Sequence, residues 1–167
     1  MKDNLYLLGW SLGGQISLEI ASILEARGYR NVNVILLDTI LTDKKFSKLR
    51  NNIDEKALNL QLEEYFNDKG FELEYIENII KAQASEKILS NSDISSRLIY
   101  TQIKLFKALL HDDRFMIDDT KLSNYTLSLD YNNVEKISNN ITLKKVKCHH
   151  GNIIEYIIDN KLYENLI

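Results

Sequence analysis

Apolar and polar positions along this chain sort into short strand-like runs separated by helical stripes. Leu5-Tyr6-Leu7-Leu8 is an apolar run that predicts a short buried strand over residues 4–8. A helix is predicted over residues 12–27, with Ile16, Ile20 and Leu24 on one stripe and Gly28 as its C-terminal stop. Val32-Asn33-Val34-Ile35-Leu36-Leu37 is a second β-branched run, ending at Asp38. Strand, helix and strand with short connections form a βαβ unit. Its two strands are expected to be parallel, with a right-handed crossover.

The pattern then changes. Leu58, Leu62, Tyr65 and Phe66 follow helical spacing between Asp54 and about Asp68, and Gly70 ends that segment. Ile76, Ile79 and Ile80 mark a second helix. A third is predicted from a Ser92 cap through Ile94, Leu98, Ile99, Leu105, Phe106, Leu109 and Leu110. Three successive helices suggest an inserted helical subdomain, over about residues 45–120. Strand signals return at Tyr125–Leu129 and at Ile141–Val146, and residues 152–158 form a candidate last helix. The sequence has no internal repeat and no low-complexity tract.

Composition narrows the class of protein. The 167 residues make one domain of ordinary size, and 44% hydrophobic with 27% charged residues describes a globular chain. A net charge of -3, with Lys and Arg scattered, argues against nucleic acid or an anionic membrane as partner. No run reaches transmembrane length and no signal peptide opens the chain. The single Cys148 excludes an intramolecular disulfide and suits a reducing compartment, so a cytoplasmic location is expected.

The candidate chemistry starts at Gly9-Trp10-Ser11-Leu12-Gly13. A serine flanked by glycines, between a strand and a helix, is the nucleophile elbow of an α/β-hydrolase fold. Side chains at Gly9 and Gly13 would collide as strand and helix fold together. A serine hydroxyl needs a base, normally a histidine oriented by a carboxylate. Both should lie at the carboxyl ends of strands, where an α/β sheet presents its ligand site. Asp38 ends the second predicted strand; His149 and His150 follow the last one. Ser, Asp, His is also the chain order this fold uses. Other titratable groups have plainer readings. His111 reads as a solvated cap at a helix end, and Cys148 as a buried small hydrophobe. Asp112–Asp113 and Asp118–Asp119 lack a metal-ligand spacing, and neither a metal nor a cofactor is expected.

These residues resemble the thioesterase domains of nonribosomal peptide synthetases and polyketide synthases. Gly9-Trp10-Ser11-Leu12-Gly13-Gly14, then Glu19-Ile20-Ala21 and Leu24, then Leu36-Leu37-Asp38-Thr39 are similar to that family's elbow, following helix and acid-bearing strand. The bare elbow of a general esterase or lipase is a less specific match. The resemblance is strong over residues 5–40, weak through the helical insertion, which is similar to the family's lid, and returns over about 124–154. It implies Ser11 as nucleophile, Asp38 as acid and, from the frame of Ile153 and Ile154, His150 rather than His149 as base. It implies the Leu12 N–H as an oxyanion donor. The implied substrate is an acyl or peptidyl thioester on the phosphopantetheine arm of a carrier protein, released by hydrolysis or cyclisation. It further implies that the chain is the C-terminal part of such a domain. Preceding strands and a second oxyanion donor would lie outside it; the complete form would be an integrated or stand-alone editing thioesterase, and the alternative is that the chain alone is an inert fragment requiring a partner chain.

Overall fold

A computed structural model describes residues 4–90, 97–111 and 120–165. Four parallel strands form one sheet in the order β1 (Leu5–Trp10), β2 (Val32–Leu37), β3 (Gln102–Leu110) and β4 (Ile141–His149). Helix α1 (Leu12–Ala26) connects β1 to β2, giving the βαβ unit read from the sequence. Between β2 and β3 lie α2 (Lys44–Asn51), α3 (Glu55–Asp68) and α4 (Leu73–Ser90). Helix α5 (Thr120–Ser128) follows β3, and α6 (Ile153–Asp159) follows β4.

The inner strands are apolar because both faces of the sheet are covered. Val34 and Leu36 of β2 point into one core with Leu18, Ala21, Ile103, Leu105 and Val134. Ile35 and Leu37, one position out of phase, enter the other with Phe106, Ala108, Val146, Cys148, Ile153 and Ile157. Strand periodicity thus divides a continuous apolar run between two packed layers.

Two predicted elements change type. The third helix is in fact the extended segment β3 from Gln102 onward, so the residue range 45–120 contains a central sheet strand. The spacing of Leu105, Phe106, Leu109 and Leu110 mimics a helix because a strand buried on both faces need not alternate. The Ser92 and Ile94 positions assigned to that helix lie outside the described residues. The strand predicted at Tyr125–Leu129 is the end of α5. Five alternating residues are a weak signal, and tertiary contacts decide it: Tyr125 bonds Asp43, and Lys107 takes up carbonyls at the helix's end.

Helix α1 also turns differently from its apolar stripe. Gly14, Ser17, Leu18 and Ala21 face the sheet, while Ile16 and Ile20 are exposed. Small residues let the helix sit close against the strands, and that close approach overrides the longer side chains. At the helix's far end, Glu25 accepts the N–H groups of Ile99, Tyr100 and Thr101 and the Thr101 hydroxyl. Burial alone would raise the Glu25 pKa, but these donors hold it below its ordinary value of 4.5. The contact ties α1 to the start of β3.

Candidate active site

The parallel sheet brings strand ends to one edge, and the chemistry gathers there. Ser11 follows β1, Asp38 follows β2 and His150 follows β4. Ser11 sits at φ 53° and ψ -122°, a conformation that serine adopts only under constraint. Its N–H donates to the Leu37 carbonyl at 3.1 Å, fixing the turn to the neighbouring strand. A Cβ on Gly9 would lie 2.3 Å from the Gly13 carbonyl oxygen and 2.4 Å from the Gly14 nitrogen. Gly9 is therefore required for the close approach of strand and helix. Gly13 is not: a Cβ there meets nothing within 4 Å. The second tight position is Gly14, whose Cβ would overlap the buried Thr39 side chain.

Asp38 is nearly buried and has φ 46°. Its Oδ2 lies 2.9 Å from His150 Nδ1. Its Oδ1 accepts the Ala108 N–H and the Asn132 Nδ2, each at 3.1 Å. His150 begins a single 3₁₀ turn immediately after β4. The Trp10 indole N–H donates to the His150 carbonyl at 3.2 Å, and the two rings lie 5.5 Å apart. With Nδ1 directed to Asp38, Nε2 is the ring nitrogen left for proton transfer.

Of the two candidate histidines, His150 is the one paired with Asp38. His149 is the last residue of β4, opposite Leu110, and its N–H donates to Asn152 Oδ1 at 3.1 Å. Ser11, Leu12, Asp38 and His150 line one cavity of about 330 Å3. No hydrogen bond joins Ser11 Oγ to His150 among the described residues, although both line this cavity. Such contacts commonly tighten only when substrate is bound. Leu12 is the first residue of α1, so its N–H has no acceptor within the helix.

The inserted helices build the opposite wall. Phe46 and Arg50 come from α2; Ser123, Thr126 and Leu127 come from α5. Asp43 fastens them together. It caps α2 through the Phe46 N–H at 2.8 Å, and accepts the Tyr125 hydroxyl at 2.6 Å and the Lys136 ammonium at 3.0 Å. Burial alone would raise the Asp43 pKa, but these partners hold it far below the usual carboxylate range. Burial and the adjacent Asp43 push the Tyr125 hydroxyl up to about 12.

Sequence reading missed Lys107, a buried lysine in β3. Its ammonium donates to the carbonyls of Thr126, Leu127 and Leu129 at the end of α5. Burial lowers its pKa, while the nearby Asp38 charge opposes that shift. The contacts of Asn132 and Trp10 were also missed. The Asn132-Asn133 pair carries the one usable signal, a left-handed turn at φ 54° and 67°.

Other expectations resolve simply. Cys148 is buried, and burial followed by the Asp38 charge raises its thiol to about 11, which suits a core residue. His111 follows strand β3, not a helix, and its Nδ1 meets Ser123 Oγ. Asp112, Asp113, Asp118 and Asp119 lie outside the described residues. Among the described residues no group of acids, histidines and cysteines has the arrangement to hold a metal, and no helix is long and apolar enough to cross a membrane.

The sequence pattern of the family described as "Thioesterase domain" matches residues 2–162. No curated protein sequence matches the chain. Among solved structures, the fold is similar to the Vlm2 thioesterase domain bound with a dodecadepsipeptide, with TM-score 0.66 and 16% identity. That match covers 96% of this chain and 66% of the other. It is similar also to the surfactin-cyclising thioesterase domain SrfTE, with TM-score 0.59 and 16% identity over 99% and 67% of the two chains. Human thioesterase 2 shares the fold more distantly, with TM-score 0.52 and 14% identity over 99% and 71%. The chain thus spans about two thirds of the length of these structures. The four-stranded parallel sheet, the elbow after β1 and the family match agree: the chain belongs to the thioesterase-domain family of the α/β-hydrolase fold.

Proposed function

We propose that this chain carries the catalytic centre of a serine thioesterase that releases an acyl or peptidyl group from a carrier-bound phosphopantetheine thioester. The observation that carries the reading is the Asp38–His150 contact at 2.9 Å, set on the same cavity as a strained Ser11. Nε2 of His150 takes the Ser11 proton as Oγ attacks the thioester carbonyl. The Leu12 N–H faces the oxyanion of the tetrahedral intermediate. The C–S bond then breaks, and His150 returns the proton to the departing thiolate of the pantetheine arm. Acyl-Ser11 remains. His150 next takes a proton from water, or from an amine or hydroxyl of the acyl chain, which attacks the ester carbonyl. Free acid or macrocycle leaves and Ser11 regains its proton. Asp38 holds the imidazole tautomer throughout, and no cofactor is needed.

The family match supports the thioesterase activity, and the dodecadepsipeptide and lipopeptide handled by the similar thioesterase domains support peptidyl substrates. Phe46, Leu110 and Leu127 offer apolar contact to an acyl chain, with Arg50 among them. The carrier domain is the partner in this reading, and the cytoplasm its place of action. A fluorophosphonate probe tests it: Ser11 becomes labelled, and Ser11→Ala abolishes labelling. A folded chain that stays unlabelled overturns the reading for the chain by itself.

One observation favours a second reading, in which activity requires a pairing segment or partner chain. Among the described residues, strand β1 is the outer strand of the sheet and pairs with β2 alone. Its Leu8 and Trp10 side chains are 59% and 42% exposed. An apolar free edge is a site for strand addition. Labelling that appears only after such a segment is supplied distinguishes this case.

A further inference from the structure

We infer that Asn132 is a positioning residue for the Asp38–His150 pair, an inference that rests on the serine-hydrolase reading above. Its Nδ2 donates to Asp38 Oδ1 at 3.1 Å, on the carboxylate oxygen opposite the one that meets His150. The Ala108 N–H reaches the same Oδ1 from β3, also at 3.1 Å. Two donors on Oδ1 from different elements fix the carboxylate plane and leave Oδ2 for the imidazole. The amide orientation is determined: the reverse would set its oxygen against the carboxylate.

The neighbouring asparagine separates this role from a scaffold role. Asn133 Nδ2 donates to the Leu41 carbonyl at 2.8 Å and to Asp43 Oδ2 at 3.3 Å, stitching the loop after β2. The Asn132 backbone carbonyl adds to that stitch by accepting the Leu41 N–H at 2.9 Å. Its side chain has no part in it. Among the described residues, Asp38 is the sole hydrogen-bond partner of that side chain. The Asp38 contact is what the position gains.

The test uses two variants and two readouts. Asn132→Gly suits the left-handed backbone and deletes the amide; Asn132→Asp keeps the shape and places a second carboxylate against Asp38. The single tryptophan, 5.5 Å from the His150 ring, reports that ring's protonation through its fluorescence. A His150→Ala control assigns the titration step, and a His149→Ala control keeps it. Lys107 and Cys148 also face Asp38 and are unchanged in every variant. In Asn132→Asp, the His150 midpoint is expected to rise by about one pH unit. In Asn132→Gly, the maximal rate of Ser11 phosphonylation is expected to fall roughly 10- to 100-fold with probe affinity unchanged. In an Asp38→Ala background the same substitution should cost less than about twofold, because Asn132 acts through Asp38. An unmoved His150 midpoint in Asn132→Asp overturns the inference, as does an equal loss in both backgrounds. The titration needs no reactive Ser11. Absent labelling in the unsubstituted chain therefore refutes hydrolase activity of the chain by itself, while the midpoint still decides the placement of Asn132.

Discussion

Replacing Gly9 by alanine is the sharpest structural perturbation of the elbow. The added Cβ would stand 2.3 Å from Gly13 O, 2.4 Å from Gly13 C and 2.4 Å from Gly14 N. Side-chain carbons essentially never approach closer than 3.0 Å, so strand end and helix start must separate by about 0.7 Å. Every contacting atom is backbone, so no rotamer change relieves the overlap. Overpacking of this kind costs about 1–3 kcal/mol, or roughly 3–10 °C in Tm for a chain of this length. The effect on chemistry should be larger, because the separation moves Ser11 relative to Leu12 N–H and His150. A displacement approaching 1 Å costs on the order of 100-fold in rate. Gly13→Ala is the matched control. It meets no atom within 4 Å and lies inside α1, so alanine should stabilise the helix by about 0.5–1 kcal/mol. Thermal melts and phosphonylation rates of the two variants decide the matter. Equal behaviour of Gly9→Ala and Gly13→Ala would refute the account of the turn.

His150→Ala should abolish Ser11 phosphonylation, while His149→Ala retains it within a few fold, because His150 is the ring bonded to Asp38. Equal losses on labelling gels would show the assignment to be wrong. Glu25→Gln should flatten the acid side of the stability profile. The folded-state pKa of Glu25 lies below 4.5, so its contribution is present above that value and is lost as the pH falls through the folded pKa. Melts at pH 7 and pH 3.5 should therefore differ less in Glu25→Gln than in the parent chain, and an unchanged difference would contradict the role of its four donors.

The βαβ unit was legible because its signals are local. A strand ending in the elbow, a helix stopped by Gly28 and a β-branched run ending in Asp38 each carry their own pattern. The capped helix α3 was read for the same reason, with Asp54 accepting the Lys56 and Ala57 N–H groups. β3 was misread because burial on both faces erases alternation, and α5 because its ends are fixed by Asp43 and Lys107 from elsewhere in the chain. The candidate triad could be read in type and order, since strand ends predict position. Its supports could not. Asn132, Ala108 and Trp10 reach Asp38 and His150 across long separations in the chain, and no sequence period marks such contacts.

The central claim is that Ser11 accepts an acyl group from a thioester with His150 and Asp38 as its base and orienting acid. Intact-mass spectrometry after mixing with an acyl-pantetheine thioester tests it most directly. The account predicts a mass increase equal to the acyl group, mapping to Ser11, absent in Ser11→Ala and strongly reduced in His150→Ala. Thioester cleavage that persists in Ser11→Ala, or an acyl group that maps to another residue, would contradict it.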